Sequence, residues 1–367
     1  MNSVLDRVLR VYRIVRRAHG VYVIPLFVMV FFTFLRTVVA IGMALDHVFF
    51  PRLARTKVKS PIVLVGNPRT GTTFLQRFLS DEGFGKGMEL FLMLYPSILL
   101  QKLLRPFLPL LEKVSPARFH STDAHETSLS SVETDDASLL LRYFDGFLLY
   151  SFFLSFDEED LTSAVDPEVR DTSDRDFAWL EKLWRRSLVV HDTDRNIAKL
   201  FTLVARLPQF LERFPEAKIL YMARDPIAII PSTMSLVTGV VDRAFGFWSK
   251  PEAERNAWLE RMYQAMIMLL RRFHDHWVSG KIDKDRVFIV RYDEMMQDFE
   301  GIMARMCVFL DHEMTPDLQQ VVSARGQKQR GYKSEHRYDL AKFGLTEERI
   351  RQDCAFFYDT FLTTPAK

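Results

Sequence analysis

A turn with two glycines, an arginine and three threonines constrains this chain more than any other stretch. Residues 66–73 read GNPRTGTT and follow IVLV at 62–65, an apolar run typical of a buried strand. Residues 74–79 then place apolar side chains at helical spacing. A strand, a glycine-bearing turn and a helix in this order direct backbone N–H groups and the positive end of a helix dipole at one point. The stretch therefore predicts a binding site for a phosphate or sulfate group.

Further strands alternate with helical segments along the chain. KILYM at 218–222 and VFIV at 287–290 are typical of buried strands, and residues 258–277 have helical periodicity. A short strand is also predicted at 187–190, ending at His191. This alternation predicts an α/β fold with a mostly parallel central sheet flanked by helices.

The N-terminus has a different character. Residues 3–18 carry arginines at steps of three or four opposite an apolar side, which predicts a basic amphipathic helix. Residues 21–45 are then almost uncharged, with Pro25 and Arg36 as the interruptions. Three arrangements are open: a helix lying on or dipping into an anionic leaflet, a helix spanning the bilayer, or an arm packed on a soluble protein. We favour the first, and predict a membrane-associating segment at 1–57 and a second domain at 58–367.

The charge distribution does not indicate a nucleic-acid-binding protein, because the basic excess belongs to the N-terminus. Residues 1–60 hold ten Lys/Arg against two Asp/Glu, so the net charge of +2 for the whole chain leaves −6 for the remainder. Two cysteines cannot form a disulfide framework, and no asparagine begins an Asn-x-Ser/Thr glycosylation site. These features predict a membrane-associated protein that faces the cytoplasm.

Two apolar tracts point to a hydrophobic ligand. Residues 90–111 are apolar and broken by three prolines, and residues 144–156 are rich in aromatic side chains. The first tract is too interrupted to span a membrane, and it could wall an apolar acceptor pocket or continue the membrane-facing surface. Together the two tracts favour a hydrophobic acceptor.

The turn itself differs from that of a nucleotide kinase. Its glycines have the four-residue gap of a P-loop, but Thr72 stands where a kinase has its lysine. The fixed cation is instead Arg69, whose planar fork suits phosphate or sulfate oxygens. No acidic strand end is positioned to hold Mg²⁺, so the sequence predicts no metal.

A second anion-binding marker follows another predicted strand. Residues 223–232 read ARDPIAIIPS, with Arg224 just past the strand end, where open parallel sheets bind ligands. Ser232 lies eight residues further on, about two helical turns later. Tertiary packing could bring both side chains to one phosphate group.

Together, PRTGTTFL and ARDPIAIIPS resemble the sulfotransferase superfamily that uses 3′-phosphoadenosine 5′-phosphosulfate (PAPS). A third stretch, RGYKSEHRYDLAKFGLTEERI at 330–350, resembles the C-terminal segment of its bacterial-type branch. The resemblance covers about 60–350 and implies a P-loop-like sulfotransferase fold with PAPS as co-substrate. It implies that the 5′-phosphosulfate is held by Arg69, Thr70, Gly71, Thr72 and Thr73. It implies further that Arg224 and Ser232 hold the 3′-phosphate, and that the nucleotide is covered by Arg330, Gly331 and Lys333.

The catalytic base is not fixed by the resemblance. Many relatives use a His after a Lys at a strand end, and that pattern is absent from SLVVHDTD, where His191 is out of register. Other branches use a Glu a few turns after the phosphosulfate loop, and Glu89 fits that pattern. His125 or Glu126, and Glu133, are further candidates. We favour Glu89 and expect burial beside an apolar wall to raise its pKa.

The predicted activity is transfer of a sulfuryl group from PAPS to a hydroxyl of a lipid or other hydrophobic acceptor. Two alternatives are a P-loop kinase acting on a lipid or nucleoside, and a membrane-bound nucleotide-binding scaffold without catalysis. The residue at position 72 argues against the kinase, and the complete set of anion-binding residues argues against the scaffold. The sequence leaves open whether the protein forms a homo-oligomer.

Overall fold

The computed structural model describes residues 3–114, 128–330 and 339–363, and the chain divides into two compact units. The first, here called the helical unit, comprises Met1–Val58, Lys86–Asn196 and Leu236–Met262. The second, the sheet unit, comprises Lys59–Gly85, Ile197–Ser235 and Tyr263–Lys367. The predicted division between residues 57 and 58 stays a prediction.

A four-stranded parallel sheet organises the sheet unit. Its strands are β1 (Ile62–Val65), β2 (Ile197–Lys199), β3 (Lys218–Ala223) and β4 (Val287–Arg291), in the order β2-β1-β3-β4. All pairings are parallel, with Val63 opposite Ala198, Leu64 opposite Leu220, and Leu220 opposite Phe288. The predicted α/β class with a parallel sheet is confirmed.

The described residues form α-helices of very different lengths. In chain order they are α1 (Val4–His19), α2 (Ile24–Phe49), α3 (Arg52–Arg55), α4 (Thr72–Asp81), α5 (Leu90–Leu94), α6 (Ile98–Leu104), α7 (Leu108–Val114), α8 (Asp136–Tyr143), α9 (Phe147–Phe152), α10 (Ser173–His191), α11 (Leu207–Arg213), α12 (Pro226–Phe245), α13 (Glu252–Val278), α14 (Tyr292–Gln297), α15 (Phe299–Phe309), α16 (Pro316–Arg330), α17 (Glu347–Asp353) and α18 (Ala355–Phe357). Short 3-10 helices occur at Arg105–Phe107, Leu154–Phe156, Thr162–Ala164, Phe201–Arg206, Phe247–Ser249, Lys284–Arg286 and Ala341–Phe343, and a π-helical turn at Tyr358–Leu362.

The core of the sheet unit lies between the strands and helices α4, α14, α15 and α16. Strand residues Ile62, Leu64 and Leu220 pack in one buried cluster with Leu75 and Leu79 of α4. A parallel strand is covered on its faces by helices, so its side chains are apolar on both sides. This packing fixes the end of β1, and with it the start of α4, in the unit that carries both anion-binding motifs.

The predicted strand at 187–190 is wrong, because these residues end the long helix α10. Leu180, Leu183, Trp184 and Leu188 are buried at helical spacing, so the apolar run belongs to a helix face. The edge strand that pairs with β1 is β2, which has only three residues, too few for a periodic signal.

Helix α1 forms where the basic amphipathic helix was predicted, but several of its arginines are bound within the helical unit. Arg7 is almost fully buried and donates hydrogen bonds to the carbonyl oxygens of Tyr143 and Phe144. Arg10 pairs with Asp157, at the start of the acidic segment 157–160. The acidic segment therefore neutralises part of the basic helix.

Helix α2 exposes most of its apolar side chains. It is 26 residues long, and only 6% of its most apolar window is buried. Near its C-terminal end, Asp46 is fully buried and accepts hydrogen bonds from Ser97, from two α6 N–H groups and from Arg186. Helix α12 also has the length and composition to cross a membrane, but half of its window is buried.

Candidate active site

The turn between β1 and α4 has the sharp geometry that its glycines predict. Gly66 has φ of 138°, and a Cβ there would lie 2.7 Å from the carbonyl oxygen of Met222. Gly71 has φ of 90°, and a Cβ there would lie 3.1 Å from the Tyr292 ring. Arg69 also adopts a left-handed conformation, with φ of 71°. Such a backbone costs on the order of 1–3 kcal/mol in a non-glycine residue and is concentrated at functional sites.

Helix α4 starts directly after this turn, with Gly71 as its N-cap and no side-chain cap. Its first N–H groups therefore have no partner inside the helix and lie at the positive end of the helix dipole. The buried Thr70 hydroxyl donates to the carbonyl oxygen of Asn67, at 2.9 Å, and so holds the turn in shape. These features suit an anionic group at the start of α4.

The two anion-binding motifs meet through Arg69. Its Nε donates a hydrogen bond to Oγ of Ser232, at 3.0 Å. One terminal N–H of Arg224 donates to the carbonyl oxygen of Arg69, at 2.7 Å, while the Arg224 guanidinium lies 3.8 Å from the centroid of the Tyr292 ring. The second motif therefore contacts the first within the sheet unit, and Tyr292 adds a stacking surface that was not predicted. That Arg224 and Ser232 hold one phosphate group stays a prediction.

Lys199 is a further cation beside the turn that sequence reasoning missed. It is the last residue of β2, is only 6% exposed, and places Nζ 3.2 Å from Oγ1 of Thr73 in the first turn of α4. A buried ammonium at a helix N-terminus adds positive charge where an anion would lie. The sequence did not reveal Lys199 as a site residue, because the apolar run that ends at His191 resembles a strand and β2 does not.

The structure describes only part of the third motif, residues 330–350. Arg330 ends α16, is exposed, and pairs with Glu300 at 3.5 Å. Gly331 and Lys333 lie outside the described residues. The predicted role of these three residues in covering the nucleotide stays a prediction.

Glu89, the favoured base, lies in the helical unit at the N-cap of α5. Its backbone forms an isolated antiparallel bridge with Val132. No described residue hydrogen-bonds its half-buried carboxylate. Burial raises the pKa of Glu89, while Arg105 and Lys86 oppose that rise. A carboxylate with free lone pairs and a raised pKa has the properties of a general base.

Of the other candidate bases, His191 and Glu133 are described, and His125 and Glu126 are not. His191 ends α10, and its Nε2 is buried without a hydrogen-bond partner among the described residues. Burial lowers the pKa of His191, with a further contribution from Lys86 and Arg105. Glu133 is buried and accepts a hydrogen bond from Ser131. His125 and Glu126 lie outside the described residues.

Solved structures define the class of fold. Sulfotransferase STF1 from Mycobacterium tuberculosis matches with a TM-score of 0.66 and 19% identity, covering 96% of this chain and 91% of that one. Sulfotransferase STF9 from Mycobacterium avium matches with a TM-score of 0.64 and 18% identity, covering 88% of this chain and 82% of that one. This chain therefore has the fold of bacterial sulfotransferases.

Sequence comparison then identifies the family. Residues 61–316, more than half of the chain, match the Sulfotransferase family, and the chain belongs to it. The omega-hydroxy-beta-dihydromenaquinone-9 sulfotransferases Stf3 of Mycobacterium bovis and Mycobacterium tuberculosis are 25% identical over 283 residues, which is 76% of this chain and 70% of each relative. The protein is thus a sulfotransferase. Among residues 3–114, 128–330 and 339–363, no cluster of three or more His, Cys, Asp or Glu side chains could hold a metal ion.

Proposed function

We propose that this protein transfers a sulfuryl group from PAPS to a hydroxyl group of a membrane lipid or similar hydrophobic acceptor, at the cytoplasmic surface of a membrane. The observation that carries the proposal is the joining of the two anion-binding motifs by the Arg69–Ser232 hydrogen bond. One bisphosphorylated nucleotide has an anionic group at each end, and the two motifs supply donors for both.

The residues of the sheet unit fit the donor. The 5′-phosphosulfate would lie at the uncapped start of α4, within reach of Arg69, Thr72, Thr73 and Lys199. Fixed cations and N–H groups there would stabilise the charge that develops on the 5′-phosphate as the S–O bond to it breaks. Arg224 and Ser232 would hold the 3′-phosphate, with Arg224 positioned by Tyr292.

We propose Glu89 as the base. During transfer, the acceptor oxygen forms a bond to sulfur and loses its proton, which the Glu89 carboxylate would accept. The raised pKa of Glu89, and the absence of a hydrogen-bond donor to its carboxylate among the described residues, support this role over His191, whose Nε2 is buried.

The acceptor class rests on two features. Helix α2 presents a long, exposed apolar face, which a soluble protein would rarely leave uncovered. The Stf3 relatives are described as acting on a hydroxylated dihydromenaquinone, a lipid-like molecule. Both features favour an acceptor that resides in the membrane. We further propose that residues 1–57 lie on the membrane surface and do not span it.

The direct test is sulfuryl transfer from radiolabelled PAPS to fractionated bacterial membrane lipids by the purified protein. We expect label in an organic-soluble product, and none when the acceptor hydroxyls have first been methylated. Label found only in polar sugars or peptides would contradict the lipid acceptor. Phosphoryl transfer from ATP with Mg²⁺, and none of sulfate from PAPS, would contradict the whole proposal.

A further inference from the structure

A cleft in the helical unit has two arginines in its walls and no carboxylate. It is an open depression of about 330 Å³, adjoining solvent included, between residues of α2, α5, α8 and α10, including Val39, Met93, Leu141 and Trp179. Arg36 and Arg142 are its charged lining residues, and the remaining lining residues are apolar. Two cations that face an apolar cleft are an unusual arrangement, because burial of charge without a partner is costly.

Neither cleft arginine has a carboxylate partner among the described residues. Arg36 forms no ion pair or hydrogen bond with any of them. Burial lowers the pKa of Arg36, and repulsion from the positive charges of Arg142 and Arg7 lowers it further. The Arg142 guanidinium lies 4.9 Å from the centroid of the Trp179 ring and 5.9 Å from that of the Tyr143 ring. Both side chains are half-buried, so solvent screens their repulsion only in part.

The acidic residues around Tyr143 are already occupied. Asp145 pairs with Arg7, Arg170 and Arg175, at 3.7, 2.6 and 2.9 Å. Asp176 pairs with Arg175 at 2.7 Å. Three arginines thus share two carboxylates, and the cleft arginines add two further positive charges. The region has a surplus of positive charge that an external anion would neutralise.

The position of the cleft indicates which anion it takes. Arg36 lies in the middle of α2, and the same helix carries apolar side chains that are more than half exposed. They are Ile24, Phe27, Val30, Phe31, Phe34, Ile41, Val48 and Phe49. A ligand with both a phosphate and long apolar chains would match the charge of the cleft and the exposed apolar side chains of the same helix.

We propose that Arg36 and Arg142 bind the phosphate group of an anionic membrane phospholipid, whose acyl chains lie along the exposed face of α2. This inference rests on the membrane association in the proposed function, but not on the sulfuryl-transfer chemistry. It gives Arg36 a role within the apolar segment, because the lipid phosphate would supply its counter-ion.

The test compares vesicle binding of two double variants with that of the native chain. Arg36→Gln with Arg142→Gln removes the cleft charges. Arg13→Gln with Arg16→Gln removes two exposed α1 charges and is the matched control. The vesicles are pure phosphatidylcholine, or phosphatidylcholine with one fifth phosphatidylglycerol. Each basic residue near an anionic surface contributes on the order of fivefold to binding.

We expect the cleft variant to bind anionic vesicles at least tenfold more weakly than the control variant, with unchanged binding to neutral vesicles. Equal losses in both variants would overturn the site, because the attraction would then be non-specific. If 10 mM inorganic phosphate abolishes the native chain's preference for anionic over neutral vesicles, the cleft binds free phosphate and the proposal is overturned. If the native chain binds neither vesicle, both this inference and membrane association fail, while sulfuryl transfer remains separately measurable.

A second measurement does not depend on the arginine variants folding. Trp179 lines the cleft, so anionic vesicles should change the tryptophan fluorescence of the native chain. In Trp179→Phe that change should fall by at least half, although binding persists. A spectral change of the same size in Trp179→Phe would contradict occupation of the cleft.

Discussion

The role of Arg69 gives the sharpest test of the donor site. A guanidinium has five N–H donors, and one of them is engaged by Ser232 at 3.0 Å. If two of the others bind the phosphosulfate, each hydrogen bond to a charged group is worth about 1.5–3 kcal/mol. Arg69→Ala should then remove about 3–6 kcal/mol of transition-state stabilisation. That corresponds to a loss of about 10²- to 10⁴-fold in kcat/KM.

The assay is steady-state sulfuryl transfer with PAPS varied at a fixed acceptor concentration. Arg69→Lys keeps the charge but not the fork, so its loss should be intermediate. Arg77→Ala is the matched control, since Arg77 lies on the same helix α4 but is exposed. The reasoning would be refuted if Arg69→Ala retained more than a tenth of native kcat/KM, or if Arg77→Ala lost as much.

Three further predictions address other residues. Glu89→Gln should lower kcat by about 10²- to 10⁴-fold without weakening nucleotide binding. Because burial raises the pKa of Glu89 above its ordinary 4.5, native kcat/KM should rise as the pH increases and this carboxyl group loses its proton, at a pH above 4.5. Glu89→Gln should lack this rise. Turnover that survives in Glu89→Gln would place the base elsewhere. Lys199→Met should raise the Kd for adenosine 3′,5′-bisphosphate at least tenfold by calorimetry, and an unchanged Kd would exclude a contact with the anion. Asp46→Asn should lower the free energy of unfolding, measured by denaturant titration, by about 3–5 kcal/mol, because it leaves Arg186 buried and without its charge partner. The control is Asp192→Asn, which breaks an exposed ion pair and should lower the free energy of unfolding by less than about 1 kcal/mol.

The parts of the fold that could be predicted are those with strong local signals. Strands β1, β3 and β4 are apolar runs bounded by turn residues, and the glycines at 66 and 71 indicate the turn at 66–73. Strand β2 has three residues, and its identity depends on pairing with β1 across a long stretch of chain. The apolar end of α10 resembled a strand because four residues are too few to separate the two periods.

Tertiary partners account for the rest. The arginines of α1 predict a basic helix, but the local sequence does not reveal that Arg10 forms an ion pair with Asp157. This ion pair reduces the positive charge that α1 could offer to an anionic membrane. The contact of Lys199 with Thr73 and the stacking of Arg224 on Tyr292 likewise depend on which chain segments the sheet brings together. By contrast, the placement of both motifs at one edge of the sheet could be anticipated, because each follows a strand end of one parallel sheet. The hydrogen bond between Arg69 and Ser232 was not itself predicted.

The most direct measurement is a crystal structure with adenosine 3′,5′-bisphosphate. We predict its 5′-phosphate at the start of α4, within hydrogen-bonding distance of Arg69, and its 3′-phosphate on Arg224 and Ser232. Binding of the nucleotide elsewhere, or contact of its two phosphates with only one of these motifs, would contradict the proposed donor site.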